Sequence, residues 1–321
     1  MLIKFRRFWA VLMLSAFALG ASAQSWPTKP IRIITPAPPG GTTDFLARLF
    51  TQNQLGQPVL VEARPGASGN IATEAVVKSA PDGYTLLLGA PGSLAANISL
   101  FRSLPFDPQK DLTPIIHVAS VPLLVAVHPS VPATTIAELV AVLKANPAKY
   151  SYGSPGPGTP QHLTTEMFKS RTGTQILHIP YKGSGPVVND LLGGQIQVAI
   201  EAIVSLQPHV EAGKLRALAV TGASRAAAMP RVPTVAEAGV RGFDANTWYG
   251  IVGPAGMPPE IVARLNKEMR RILDLPESRA RLASIGANVV HGSPEEFAAF
   301  IRAETRKWAD VIKQSGIKPE D

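Results

Sequence analysis

Between an apolar run, Ile31 to Ile34, and a helical pattern from Phe45 lies Thr35-Pro-Ala-Pro-Pro-Gly-Gly-Thr-Thr-Asp44. Gly40 and Gly41 accept backbone geometries that other residues resist, and Thr42, Thr43 and Asp44 are types that cap helices. A strand, a tight turn and a helix start in this order leave several N–H groups converging on one spot, which is a ready anion site. Asp44 is expected to secure the helix. An acid aimed at an anion repels it, whereas at a helix start it stabilises by up to about 1 kcal/mol. A second stretch repeats the logic: Ser154, Gly156, Gly158 and Thr159 precede a helical pattern that carries His162. That histidine either orients the loop, donates to a ligand, or is structural. Tyr181, Lys182 and Gly183 follow another strand pattern, where a phenol or a backbone N–H can reach a ligand and the lysine can equally be solvated.

Catalysis is harder to assemble from this chain. No G-x-S-x-G elbow surrounds Ser68, Ser93 or Ser184, and there is no cysteine nucleophile. His117, His128, His162, His178, His209 and His291 are scattered, and none forms H-E-x-x-H. His162 and Glu166 stand one helical turn apart, a weak metal signal by itself. Gly153 to Thr159 lacks the G-K-[ST] ending of a phosphate loop, and Gly156-Pro-Gly158 lacks the rest of a dinucleotide fingerprint. No enzyme and no cofactor is expected. The competing class is a secreted α/β hydrolase acting on a carboxylate-bearing substrate, ahead of a carbohydrate- or metal-binding module.

Short β-branched runs alternate with helical patterns along the chain. Strands are predicted over 31–35, 58–62, 84–89, 123–128, 176–179, 196–201, 215–221 and 248–252. Helices are predicted over 44–55, 70–79, 136–145, 161–171 and 186–192, with three more near the end. The alternation predicts α/β units with largely parallel sheets. Glycine and proline concentrate at 36–41, 64–70, 90–93, 153–160 and 182–186, nearly all after a strand and before a helix. That is the carboxyl edge where open α/β sheets gather ligands, so a cleft is expected. The last helix, 294–315, sets Phe297, Phe300, Ile301, Trp308 and Ile312 on one stripe, read as core.

Lys4, Arg6 and Arg7, the apolar run Phe8 to Leu19, and Ala21-Ser22-Ala23 follow the order of a secretory signal, with cleavage expected after Ala23. As a membrane anchor the apolar run is too short. Loss of those three cations takes Lys plus Arg from 31 to 28 against 23 acids, and the formal charge from +8 to +5. The remaining cations are dispersed, without the runs or aromatic interleaving that nucleic acid calls for. Zero cysteines leaves no disulfide and no lipid anchor, which suits a soluble protein of a bacterial periplasm. The 321 residues exceed the usual single domain, so two are expected.

Six segments, in order, resemble the Bug or TctC-like family of extracytoplasmic solute receptors of tripartite tricarboxylate transporters. They are residues 35–44 (TPAPPGGTTD), 62–87 (EARPGASGNIATEAVVKSAPDGYTLL), 150–163 (YSYGSPGPGTPQHL), 178–195 (HIPYKGSGPVVNDLLGGQ), 215–222 (LRALAVTG) and 232–239 (VPTVAEAG). The resemblance implies an α/β clamshell of two domains, a type II-like periplasmic binding protein. Domain one would comprise residues 26–124 plus 250–321 and domain two 125–249. It also implies a monomer that holds a small carboxylate between its lobes, a di- or tricarboxylate, acidic amino acid or aromatic carboxylate, and delivers it to membrane permease subunits. Backbone amides and ordered water would hold the ligand as much as side chains do.

The ligand contacts expected on this basis are Ala37, Pro39, Gly40, Gly41, Thr42, Thr43, Ala67 and Ser68 from one lobe. Ser154, Gly156, Thr159, His162, Tyr181, Lys182, Gly183 and Glu201 are expected from the other. Ala67 and Ser68 can equally form a tight structural turn. Many relatives carry an aromatic residue where this chain has Ala37, which removes bulk beside the carboxylate site. Relatives also often show acids two and six residues after Gln195; here Gln197 departs and Glu201 keeps the acid. A carboxylate there would repel a plain dicarboxylate, so Glu201 points away, holds water, or pairs with an ammonium group.

Overall fold

Ile31, Ile33 and Ile34 are buried, which is why the first apolar run becomes a central strand with both faces covered. This computed structural model describes residues 26–40, 42–51, 55–147 and 149–317. The expected leader, residues 1–23, and Gly41 lie outside the described residues. Among those described, no helix is long and apolar enough to cross a membrane.

The order is β1 (Ile31–Thr35), α1 (Thr42–Ala47), a 3-10 turn (Arg48–Phe50), β2 (Val59–Ala63), a 3-10 turn (Ala67–Gly69), α2 (Asn70–Val77) and β3 (Thr85–Gly89). A π turn (Gly92–Ala96) runs into α3 (Asn97–Leu100), followed by β4 (Leu112–Val127), α4 (Ile136–Ala145), β5 (Ser151–Ser154), α5 (Pro160–Thr172) and β6 (Leu177–Pro180). Next come α6 (Ser184–Leu192), β7 (Val198–Ala202), α7 (Ile203–Glu211), β8 (Arg216–Val220) and β9 (Asn246–Pro254). The chain ends with α8 (Pro259–Asp274), α9 (Pro276–Ser284), β10 (Asn288–Val289) and α10 (Pro294–Ser315).

The strands join in the order β2-β1-β3-β9-β4-β7-β5-β6, with β8 and β10 also on β4. The ladders β1–β2, β1–β3, β5–β6 and β5–β7 are parallel, but every ladder of β4, and that of β3 with β9, is antiparallel. The sheet is therefore mixed, a correction to the largely parallel expectation. Its cause is β4, a 16-residue strand that pairs with β9 up to Pro122 and with β7 and β8 from Leu123 on. Pro114 and Pro122 hid its first part. The antiparallel register with β9 slips beside Pro114 and again after His117, and such bulges accommodate residues that break a regular ladder.

The terminal helix behaves as its stripe predicts. Ser293 and Glu296 form a capping box, Gly316 (φ 67°) ends the helix, and Phe297, Ile301, Trp308 and Ile312 are buried with Phe300 packed beside them. This face lies against α5, β4 and the π turn, so one helix packs on both parts of the sheet. Glu304 Oε2 accepts from Trp248 Nε1 at 2.7 Å and from Trp308 Nε1 at 3.0 Å, and Glu304 also pairs with Lys307. A buried carboxylate thereby satisfies two indole donors that would otherwise be stranded.

Candidate functional site

Helix starts, rather than catalytic side chains, surround the main cleft. It encloses about 470 Å³. From one side it receives Thr42 and Thr43 of α1, Ser68 and Gly69 before α2, and Gly92 and Ser93 of the π turn. From the other come Thr159, Pro160 and Gln161 at the head of α5, Ser184 at the head of α6, and Ala202, Val204 and Ser205 at the head of α7. The first N–H groups of a helix have no partner within it and carry its positive dipole end, so six such starts favour negative charge. Among the described residues no Lys, Arg or His lines this cleft. An anion here is met by amides and hydroxyls.

The wall after β1 is fixed by Asp44. Its Oδ2 accepts from the Gly40 N–H at 3.1 Å and from Arg48 Nε at 2.9 Å, and Arg48 and Gly40 hold its carboxyl below the usual range against the opposing effect of burial. The helix begins at Thr42, earlier than predicted, so Asp44 closes the turn from inside the helix instead of capping it from outside. Gly40 is on the cleft but its amide is engaged by Asp44, which leaves Thr42 and Thr43 as the donors among the described residues of this turn.

Backbone strain marks the next loop. Gly66, Ala67, Ser68 and Gly69 all have positive φ (126°, 44°, 51° and 92°), a costly conformation for alanine and serine that persists only where surroundings enforce it. Asn97 enforces it, with Nδ2 donating to Ser68 O at 3.1 Å and to Asn70 Oδ1 at 2.6 Å. A Cβ on Gly69 would lie 3.1 Å from Pro36 Cβ and 3.2 Å from Ser93 Cβ, so only glycine lets three loops meet. A Cβ on Gly158, in the opposite wall, would lie 3.6 Å from Ser68 Oγ. The two walls approach closely there.

The opposite wall rests on a buried ring stack. Thr159 caps α5, its Oγ1 accepting from His162 N and donating to Gly156 O at 2.7 Å. Gly158 N donates to His162 Nδ1 at 3.0 Å, so that nitrogen is unprotonated. Burial, reinforced by His178, pulls His162 down to about 4. His162 stacks on His178 at 4.3 Å, which stacks on Tyr152 at 4.7 Å and meets Ser154 Oγ at 2.7 Å. His162 thus orients the loop and does not line the cleft. Nor do Ser154 and Gly156, which are occupied within that scaffold.

Of the other predicted contacts, Ala37, Gly40, Thr42, Thr43, Ser68, Thr159 and Glu201 line the cleft together. Pro39, Ala67, Tyr181, Lys182 and Gly183 do not. Pro39, Ala67 and Lys182 are exposed, and the Tyr181 phenol donates instead to Asp190 Oδ2 at 2.7 Å, burial raising it to about 12. Sequence reasoning missed Ser93, Val121, Leu123, Gln161, Ser184, Ser205, Thr247 and Tyr249. Ser184 lay inside the flagged loop 182–186 and was readable as a helix start; Thr247 and Tyr249 arrive through the long-range β4–β9 pairing and left no local signal.

Three side-chain oxygens on the cleft are buried without a partner: Thr43 Oγ1, Thr247 Oγ1 and Glu201 Oε2. A stranded buried polar group costs about 1–3 kcal/mol, which a ligand that pairs with it recovers. Glu201 Oε1, by contrast, accepts from Gln161 Nε2 at 2.7 Å and from Ala202 N at 2.8 Å. Glu201 points into the cleft, not away from it.

The sequence matches the family described as tripartite tricarboxylate transporter family receptor, TctC, over residues 46–317. It is 40% identical to protein BugT of Bordetella pertussis over 308 residues, covering 95% of this chain and 94% of that protein. Its fold is similar to that of Rpa4515 of R. palustris with adipate, at a TM-score of 0.83 and 39% identity, covering 92% and 100% of the two chains. It is also similar to MatC of Rhodopseudomonas palustris with bound malate, at a TM-score of 0.78 and 31% identity, covering 89% and 100%.

Proposed function

Because the chain belongs to the tripartite tricarboxylate transporter family of receptors, we infer that its cleft captures a small dicarboxylate in the periplasm for delivery to membrane permease subunits. The observation that carries this reading is the convergence of six helix starts and three unpartnered oxygens on a cleft with no cationic side chain among the described residues. Amide and hydroxyl donors suit the planar, multiply accepting carboxylate group, and the apolar side chains Val121, Leu123 and Val204 suit the methylenes between two such groups. Adipate and malate, held by two structural relatives, have this construction.

The two lobes are residues 26–124 with 250–321, and 125–249, and the receptor works as a monomer exported by its first 23 residues. Ligand exchange requires Ser68 and Gly158 to separate, as hinge closure does in other two-lobed receptors. No catalytic step is needed. The Ser–His pairs of the described residues, Ser154–His178 and Ser130–His128 at 2.7 Å and Ser120–His117 at 3.3 Å, all lie off the cleft, which disfavours the hydrolase reading.

A thermal-shift screen of mono-, di- and tricarboxylates and acidic amino acids tests the proposal. A ligand at about 100 times its Kd adds about 2.7 kcal/mol, a rise in Tm on the order of 5 °C or more for a chain of this size. A flat response to every anion, together with turnover of a chromogenic ester, would replace this reading with the hydrolytic one.

A further inference from the structure

Among the described residues, Glu201 is the single carboxyl group on a cleft read as taking an anionic ligand. It is fully buried, and its two oxygens differ sharply. Oε1 is saturated by two N–H donors, one from the α5 amide Gln161 and one from its own neighbour Ala202. Oε2 is buried and has no partner, on a residue that lines the cavity. That asymmetry matches a carboxylic acid with Oε1 as the carbonyl and Oε2 as the hydroxyl.

Among the described residues of the cleft no cationic side chain balances an ionised form, and only the helix starts and the two N–H donors favour one. α5 presents Gln161, α6 presents Ser184, α7 presents Ser205, and β9 presents Thr247 and Tyr249; β4, paired alongside, presents Leu123, and α1 contributes Thr42 and Thr43. Among the described residues of the cleft, the only other titratable group is the Tyr249 phenol, which burial pushes up, so it stays neutral. Burial likewise raises the Glu201 carboxyl above the usual range, against the opposing pull of Gln161, Ala202 and Ser184. Ser184 is near enough to act on the ionisation yet makes no hydrogen bond with Oε2.

We propose that Glu201 enters the ligand site as a neutral acid, with Oε2 donating its proton in a hydrogen bond to one carboxylate of the bound dicarboxylate. The inference rests on the receptor reading above and names the residue that sets its specificity. A neutral donor permits a second ligand charge deep in the cleft, where an ionised Glu201 would repel it. An ammonium-bearing ligand gains nothing from this arrangement, because the acid offers a proton where an amino group needs an acceptor.

The test combines infrared difference spectra of wild type against Glu201→Gln with adipate titrations by calorimetry across the neutral and mildly alkaline range. The C=O stretch of a protonated carboxylic acid is expected in the ligand-free wild type and absent from the variant. Wild-type adipate affinity falls about tenfold per pH unit once Glu201 ionises, along the same curve as the infrared band, while the variant, whose amide keeps a donor at that position, shows no such slope. A band that persists to about pH 9 with level wild-type affinity supports the neutral acid equally. The proposal is overturned if the free protein shows no such band near neutral pH. It is also overturned if Glu201→Gln loses tenfold or more in adipate affinity there, or if an acidic amino acid outcompetes adipate in the wild type only. Failure of the wild type to bind any carboxylate sinks the receptor reading and the contact with it, while the infrared band still reports the protonation state separately.

Discussion

Replacing Gly69 by alanine should damage the cleft more than its size suggests. At φ 92° and ψ −1° an added Cβ occupies left-handed backbone, at a cost of about 1–2 kcal/mol. It also meets Pro36 Cβ at 3.1 Å and Ser93 Cβ at 3.2 Å, inside the roughly 3.5–4.0 Å optimum for carbon pairs. Both neighbours must move by a few tenths of an ångström, and overpacking of this kind costs about 1–3 kcal/mol. A total of roughly 2–5 kcal/mol corresponds to a fall in Tm of roughly 3–8 °C for a chain of this size. Pro36, Gly69 and Ser93 all line the cleft, so adipate affinity should drop in the same variant. The control is Gly185→Ala, in the exposed first turn of α6, where a new Cβ meets nothing within 4 Å and should leave Tm level or slightly raised. Equal Tm and equal affinity in wild type and Gly69→Ala would refute the claim that this glycine holds three loops together.

Glu304→Leu should cost on the order of 2–6 kcal/mol, since it strands the Trp248 and Trp308 indole donors; chemical denaturation followed by tryptophan fluorescence measures it, and a loss below 1 kcal/mol would contradict the assigned role. His117 lies against Phe300 at 4.5 Å and Phe297 at 5.4 Å, and burial lowers it to about 4. The unfolded chain, with histidine near 6.5, then binds more protons between those values, so stability is lost as pH falls from about 6.5 to about 4, by on the order of 3 kcal/mol. His117→Phe should remove its share of that slope, leaving the part that His162 contributes, and move the acid-unfolding midpoint to lower pH; an unchanged midpoint would count against it.

Local chemistry was the legible part of this chain. The turn after β1, the stripe of α10, and the Gly-Thr start of α5 are written in neighbouring residues, and the structure forms each close to its predicted limits. The first part of β4 was not legible, because Pro114, His117 and Pro122 read as breaks until a partner strand supplies the register. α7 was missed for a similar reason, with Pro208 inside its last turns. In the site, residues on strand-to-helix turns were found, whereas Thr247 and Tyr249 depend on pairing between β9 and a distant segment. Side-chain direction was also hidden. Tyr181 and His162 have the right chemistry for a ligand but use it on Asp190 and Gly158.

The changeover along β4 has a mechanical meaning. At Pro122 the strand leaves β9, and at Leu123 it takes up β7. Proline brings no amide hydrogen to the ladder, so the seam between the two sets of strands falls where the chain has one backbone bond fewer to break. A twist applied there loads β4 and the start of β9 and leaves the cross-strand stitching on either side intact, in the manner of paired torsion bars gripped at both ends.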